Sequence, residues 1–272
     1  MDDMNWNGLP DPLQVNTRIL SVAKQHQVQF GLYVIGRNAK AATGRRIVES
    51  WKAAGHLIGN HTYSHRPYNG VTFEEFSADM LRGHRVLQES LSTPLFFRFP
   101  TLAEGDTAEK RDRMRSFLTE QGYRNAHVTI DASDWYYDRR LQARLEREPA
   151  FDVQRYREPY LDHLWNRAQF YNDLSIRVLG RSVPHTLLIH YNRLNSLFLG
   201  DAVQMFRSRG WRLADVSETY RDPVFASAPK SMPTGQSLVW ALAKESGKFE
   251  KDLRYPGEDD VYEKPLLDRL GL

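Results

Sequence analysis

The chain contains no cysteine, which removes thiol nucleophiles, thiolate metal sites and disulfide staples from its chemistry. Any metal it binds must rest on histidine, carboxylate and water. It also has no apolar run near the roughly 18 residues that a membrane-spanning helix needs. Blocks of like charge are missing too: 37 basic residues are interspersed with 34 acidic ones. The net charge of +3 and pI near 9.0 therefore give little support to a nucleic-acid partner. There are no internal repeats and no low-complexity tracts. What is present, 41% apolar residues, 12% aromatics and 26% charge, is the make-up of a folded globular protein rather than of a disordered or fibrous one. At 272 residues one sizeable core is expected, and α/β barrels commonly reach this size as a single domain.

Apolar runs that fit buried strands occur at Phe30–Ile35, around His56–Gly59, and at Leu95–Phe99, Ala126–Ile130, Thr186–Ile189 and Trp211–Val216. Helical spacing lies between most of them. Residues 13–26 carry Ile19, Leu20 and Ala23, and residues 45–54 carry Ile47, Val48, Trp51 and Ala54 on one face. Thr72 with Glu75 forms a capping-box pattern that opens a helix bearing Phe73, Phe76, Met80 and Leu87. Further helices are expected over 107–121, stopped by Gly122, and over Ser196–Arg209, stopped by Gly210. This alternation predicts right-handed crossovers and a mainly parallel sheet or barrel. Residues 136–185 break the rhythm as a charged insertion rich in Arg and Tyr, helical around Tyr160–Leu179 and able to wall or cover a site. From Asp222 onward, Pro223, Pro229, Pro233, Pro256 and Pro265 predict an irregular wrap over 222–272 rather than another βα unit.

The unusual polar residues fall at strand ends. The stretch 59–67 reads GNHTYSHRP, with His61 and His65 four apart after the third strand. Two such histidines can face one ion from a helical turn or from a tight loop, yet alone the pattern is weak. Arg98 ends the next strand, Asp131 and Asp134 follow the one after, and His190 ends the last apolar run before Ser196–Arg209. Barrel and doubly wound folds assemble active sites at such C-terminal strand ends. Asp2 and Asp3 stand at the start of the chain with little strand before them. They are either a solvated tail or the end of a first strand, truncated here, whose remainder lies upstream in a longer protein.

In order, Asp2-Asp3, His61-Thr62-Tyr63-Ser64-His65, Arg98-Phe99-Pro100, Asp131-Ala132-Ser133-Asp134-Trp135 and Leu187-Leu188-Ile189-His190 resemble the five motifs of the NodB-homology polysaccharide deacetylases, the family-four carbohydrate esterases. The resemblance covers residues 2–216. It implies an α/β fold, a distorted seven-stranded (β/α) barrel, as one catalytic domain with the helical insertion between strands five and six. It further implies that Asp3, His61 and His65 are ligands of a divalent metal, zinc foremost, with cobalt or another divalent ion as alternatives. In the same reading Asp2 is the general base, oriented by Arg98, and His190 is the general acid, partnered by Asp131 or Asp134. Trp135, Leu187 and Ile189 are implied to line an acetyl pocket, although simple strand alternation puts Leu188 on the side of His190. Thr101, standing where the family commonly has an aromatic residue, would lend a backbone N–H to the oxyanion.

The implied partner is an acetylated carbohydrate and the implied reaction is removal of N-acetyl groups from an amino-sugar polymer. An O-acetyl esterase acting on a xylan-like polymer and an inactive carbohydrate-binding relative are the rivals. Export is implied only by the family's usual substrates, and the oligomeric state is left open. His26, His56, His84, His127, His163 and His185 match no motif and are expected to be structural or exposed. Trp6, Tyr63 and Tyr68 lie near enough to the motifs to stack on sugars or simply to pack. The family's residues flanking the paired aspartates are absent: only Met1 precedes them, and Met4-Asn5 follow.

Overall fold

A computed structural model describes residues 1–3, 6–253 and 259–272, so Met4, Asn5 and Pro256 lie outside the described residues. Along the chain run β1 (Asp2–Asp3), α1 (Pro12–His26), β2 (Gly31–Val34), α2 (Gly36–Ala39), α3 (Ala42–Ala53), β3 (Leu57–Asn60), α4 (Phe73–Leu87), β4 (Leu95–Phe97), α5 (Ala108–Glu120) and β5 (Tyr123–Asn125). Next come α6 (Asp134–Arg147), α7 (Arg157–Leu179), β6 (His190–Tyr191), α8 (Arg193–Ser208), α9 (Val216–Thr219), α10 (Leu238–Ser246) and α11 (Asp259–Arg269). The strands form one parallel sheet in the order β5-β4-β3-β2-β1-β6. Beyond β6, the chain just before it pairs with the chain just after β5 through a parallel bridge between Ile130 and Leu187. Ile130 donates its N–H to the Thr186 carbonyl at 3.0 Å and Leu188 returns one to Ile130 at 2.9 Å. The pairing thus runs from β5 around to the segment that leaves β5, which curls the sheet toward a barrel.

The helices appear where apolar spacing and caps agree. Thr72 accepts from the Glu75 N–H while Glu75 bonds back to Thr72, the reciprocal box read from the sequence. Asp11 and Thr107 cap α1 and α5 in the simpler one-way form. The chief apolar cluster gathers side chains from Met1 to Leu272, including Trp6, Trp51, Tyr137, Tyr160, Tyr191 and Trp240. The helical insertion enters this cluster through Tyr160, Leu161, Leu164, Ala168, Tyr171 and Leu174.

Several expectations need correction: Ala126–Ile130 and Thr186–Ile189 are not strands but adjoin β5 and β6 and meet at the Ile130–Leu187 bridge. Trp211–Val216 is not a strand: Trp211 packs its ring against Trp165 and Phe206 instead of joining the sheet. The described sheet therefore has six strands, and β1 is among them. Asp2 and Asp3 are not a solvated tail, since β1 pairs with β2 on one side and β6 on the other. The tail after Asp222 is less irregular than its prolines imply. Ser237 caps α10 after Pro233, and α11 tolerates Pro265 in its interior.

Candidate active site

The sheet register brings the separated motifs together. Asp2 lies opposite Tyr33 on one side and His190 on the other, while Asn60, immediately before His61, lies opposite Phe97, immediately before Arg98. Parallel strands end on the same side, so these residues meet at the C-terminal edge although they are up to 188 positions apart in sequence.

Asp2 is 4% exposed. One guanidinium nitrogen of Arg98, Nη1, sits 3.0 and 3.1 Å from its two carboxylate oxygens. Arg98 is fixed in turn: Nε donates to the Ala126 carbonyl at 2.7 Å, and its guanidinium lies 4.4 Å from the centre of the Tyr33 ring. Burial by itself would raise the Asp2 pKa, but Arg98, followed by His61, outweighs it and holds the carboxyl below its ordinary range. Asp2 is therefore an ionised acceptor at neutral pH.

The HTYSH stretch is a loop, not a helical turn. Thr62 and His65 both take left-handed backbone conformations, with φ of 63° and 60°, which cost non-glycine residues about 1–3 kcal/mol each. A mesh of hydrogen bonds holds them there. Gly36 and Arg37 donate backbone N–H groups to the Thr62 and Tyr63 carbonyls, and Tyr63 donates to the Asp79 carbonyl. Asp79 accepts from both N–H and hydroxyl of Ser64, and His65 donates its N–H to the Thr62 hydroxyl. The result sets the two imidazoles 4.7 Å apart, centre to centre.

His61 Nδ1 lies 2.7 Å from the Arg98 carbonyl, which can only accept, so Nδ1 carries the proton and Nε2 presents its lone pair. That Nε2 stands 3.7 Å from Asp2 Oδ2. Burial, only partly opposed by Asp2, pushes the His61 pKa down to about 3 and lowers that of His65 as well. Asp3 is fully buried, with Oδ2 accepting from the Ile35 N–H at 3.2 Å and the Asn38 amide at 3.0 Å. Two neutral imidazoles, one with its tautomer fixed by a carbonyl, and an anchored carboxylate have the donor chemistry of a divalent-cation site. Among the described residues, however, no three His, Asp or Glu side chains stand close enough together to form an assembled ligand group.

Asp134, rather than Asp131, meets His190. Its Oδ1 lies 2.7 Å from His190 Nδ1 and its Oδ2 accepts the His190 backbone N–H at 2.7 Å. Asn192 and Asn195 add amide donors to Oδ2 at 3.0 and 2.7 Å. The carboxylate places the ring proton on Nδ1. Burial alone would lower the His190 pKa, but Asp134 outweighs it and raises it. Asp131 instead offers its backbone carbonyl to Arg167 Nε at 2.9 Å.

The remaining expected residues are dispersed. Leu187 and Ile189 line a partly open pocket of about 310 Å³ with Tyr33 and Arg98, and Trp135 is not part of its lining. Trp135 packs edge-on to Tyr136 with the Arg139 guanidinium over it. Leu188 is buried. Thr101 is exposed and left-handed, with φ of 54°. Trp6 and Tyr68 are wholly buried and cannot stack on a sugar, whereas Tyr63 is half-buried beneath Arg82. Sequence reasoning missed Asn192 and Asn195; their one local signal is that Asn192 caps α8, its side chain accepting from the Asn195 N–H.

Residues 2–125 match the family model described as polysaccharide deacetylase. A peptidoglycan-N-acetylglucosamine deacetylase of Bacillus cereus is 30% identical over 127 residues, 46% of this chain and 43% of that protein. A second such Bacillus cereus protein is 28% identical over 47% of this chain and 45% of its own. The chain thus spans less than half the length of these two relatives. A chitin deacetylase of Colletotrichum lindemuthianum is 28% identical over 78% of this chain and 76% of its own. Among solved structures, a peptidoglycan N-acetylglucosamine deacetylase superposes with a TM-score of 0.55 at 22% identity, covering 81% of this chain and 86% of that one. A family-four pseudoenzyme from Bacillus anthracis superposes at 0.53 with 18% identity, over 76% of this chain and 60% of that one. These two likenesses carry the fold. Together with the motifs met at one sheet edge, the match makes residues 2–125 similar to the polysaccharide deacetylase family.

Proposed function

We propose that the protein is a divalent-metal-dependent hydrolase that removes acetyl groups from a carbohydrate, with N-acetyl groups of an amino-sugar polymer or oligomer as substrate. The observation that carries this reading is the pairing of an ionised Asp2, held by Arg98, with a His190 whose pKa Asp134 raises, on adjacent strands. Amide hydrolysis needs a base and an acid in opposite protonation states at one pH, and these two environments supply them. Asp2 accepts the proton of the attacking water. His190, with Nδ1 tied to Asp134, delivers a proton from Nε2 to the departing nitrogen. Asp3, His61 and His65 would hold the cation, zinc in the first instance, which when bound polarises the acetyl carbonyl and acidifies water. The relatives named for peptidoglycan and chitin deacetylation support an amino-sugar substrate.

The test is acetate release from N-acetylglucosamine oligomers, peptidoglycan fragments and acetylated xylan, using metal-stripped protein reloaded with zinc or cobalt. Metal-dependent release from the amino sugars supports the reading, and release from xylan alone would shift it to an O-acetyl esterase. No release from any of them would favour a carbohydrate-binding relative. We further expect Asp2→Asn to keep bound metal and lose turnover by at least about 10²-fold, whereas His61→Ala loses both. Equal metal loss in the two variants would refute the separate roles.

A further inference from the structure

The Asp134 carboxylate is held from more sides than a simple His–Asp pair requires. Its Oδ2 receives three donors, the His190 N–H, the Asn192 amide and the Asn195 amide. Of these, Asn195 is the one whose direction is itself decided by another side chain. An amide is nearly symmetrical in shape, so something must determine which end faces the carboxylate. Tyr160 does so, donating its hydroxyl to Asn195 Oδ1 at 2.5 Å. The Nδ2 end is left for Asp134 at 2.7 Å and for the His190 carbonyl at 2.8 Å. Turned around, the amide would set oxygen against the carboxylate oxygen and lose both bonds. Tyr160 and Asn195 are both fully buried, so water cannot replace a lost partner without entering the core.

We propose that Tyr160 and Asn195 are positioning residues for the reaction: together they orient the Asp134 carboxylate and, through it, the His190 ring. The insertion that carries Tyr160 in α7 thereby acts on the site from within the core, through a chain running Tyr160, Asn195, Asp134, His190, and not as a cover over the substrate. Burial keeps the Tyr160 hydroxyl protonated far beyond its ordinary range, so it remains a donor throughout the working pH. The proposal rests on the deacetylase reading for its effect on turnover, but the hydrogen-bond chain can be tested without turnover.

The variants are Tyr160→Phe, which removes only the hydroxyl, and Asn195→Leu, which keeps the volume and removes both amide ends. Kinetics on an N-acetylglucosamine oligomer should show kcat reduced about tenfold in Asn195→Leu and a few-fold in Tyr160→Phe, with KM within about twofold of the parent. In parallel, nitrogen-15 NMR of the His190 ring at a pH above its raised pKa, where the ring is neutral, reads which nitrogen bears the proton, the signals being assigned by their loss in His190→Gln. Nδ1 should be the protonated one in the parent. Both variants should shift the Nδ1 and Nε2 resonances toward a mixture of tautomers. Unmoved ring resonances in both variants, or unchanged kcat with only a lower unfolding temperature, would overturn the positioning role. If the parent releases no acetate from any substrate, the deacetylase reading fails on its own, and the ring resonances alone decide this one.

Discussion

Asp2 and Arg98 form a pair in which neither member is tolerable alone, because both are buried and charged. Removing one partner of such a pair costs about 3–5 kcal/mol, since the other charge is left without compensation. Arg98→Ala should therefore lower stability by that amount at neutral pH. In the parent, the depressed pKa of Asp2 contributes stability above the ordinary carboxylate pKa, and that contribution is lost as pH falls through the depressed value. Without Arg98 burial dominates and raises the pKa, so the variant's deficit should shrink as acid protonates the carboxyl. Urea unfolding at pH 7.5 and 4.5 measures this, and an equal deficit at both would show that Arg98 acts by packing. His190 behaves in the opposite sense. As the proposed acid it would work only while protonated, so kcat should hold until pH rises through its raised pKa and then fall. Asp134→Asn removes the charge that raises it, leaving burial to lower it, and the alkaline limb of the kcat profile should move to lower pH. A limb that stays in place in Asp134→Asn would assign it to another group.

Helix α4 decides how the His61–His65 loop sits, and it does so through a residue with no side chain. A Cβ built on Gly83 would come within 2.6 Å of Asn60 Oδ1 and 2.8–2.9 Å of the Thr62 backbone. By helix propensity alone, alanine is better than glycine by about 1 kcal/mol. The clash is with backbone that must then move, however, and overpacking of that kind costs about 1–3 kcal/mol. We expect Gly83→Ala to be net destabilising by chemical denaturation and to weaken zinc or cobalt uptake, because Thr62 cannot shift without moving His61. A more stable variant with unchanged uptake would show that the loop gives way freely. At this scale the sequence told much. Capped helices such as α4 and α5 carry their limits in neighbouring residues, and the strand-end motifs meet because the parallel strands β1 to β6 end on one side. What stayed hidden has a physical cause as well. Trp211 and Leu213 look like strand residues but pack, partly buried, against the main apolar cluster instead, and a two-residue strand such as β1 has no periodicity to read. Tyr160 and Asn195 are partners across 35 positions, a separation at which no local pattern survives.

Across the whole molecule, the last helix reaches the same site from the far end of the chain. Leu267 and Leu272 belong to the main apolar cluster, and Arg144 and Arg155 bind the Gly271 and Leu270 carbonyls at 2.8 and 3.1 Å. From α11, Glu263 accepts the Ser133 hydroxyl at 3.3 Å and lies 3.7 Å from His163 Nδ1. His163 Nε2 in turn accepts the Ser133 backbone N–H at 2.9 Å. Ser133 directly precedes Asp134, so the carboxylate that orients His190 is approached by a contact 130 residues away. Glu263→Ala would remove an acceptor from a buried hydroxyl and a neighbour from His163, a loss of about 1–3 kcal/mol. If α11 only covers the core, that loss should appear as general destabilisation with local exchange rates changing in proportion. If it holds the Asp134 loop, hydrogen exchange at the Ser133 amide should accelerate more than at amides of β2 or β3, and kcat should fall in the folded enzyme. Exchange at Ser133 that tracks the sheet amides, with kcat unchanged, would reduce α11 to a cover.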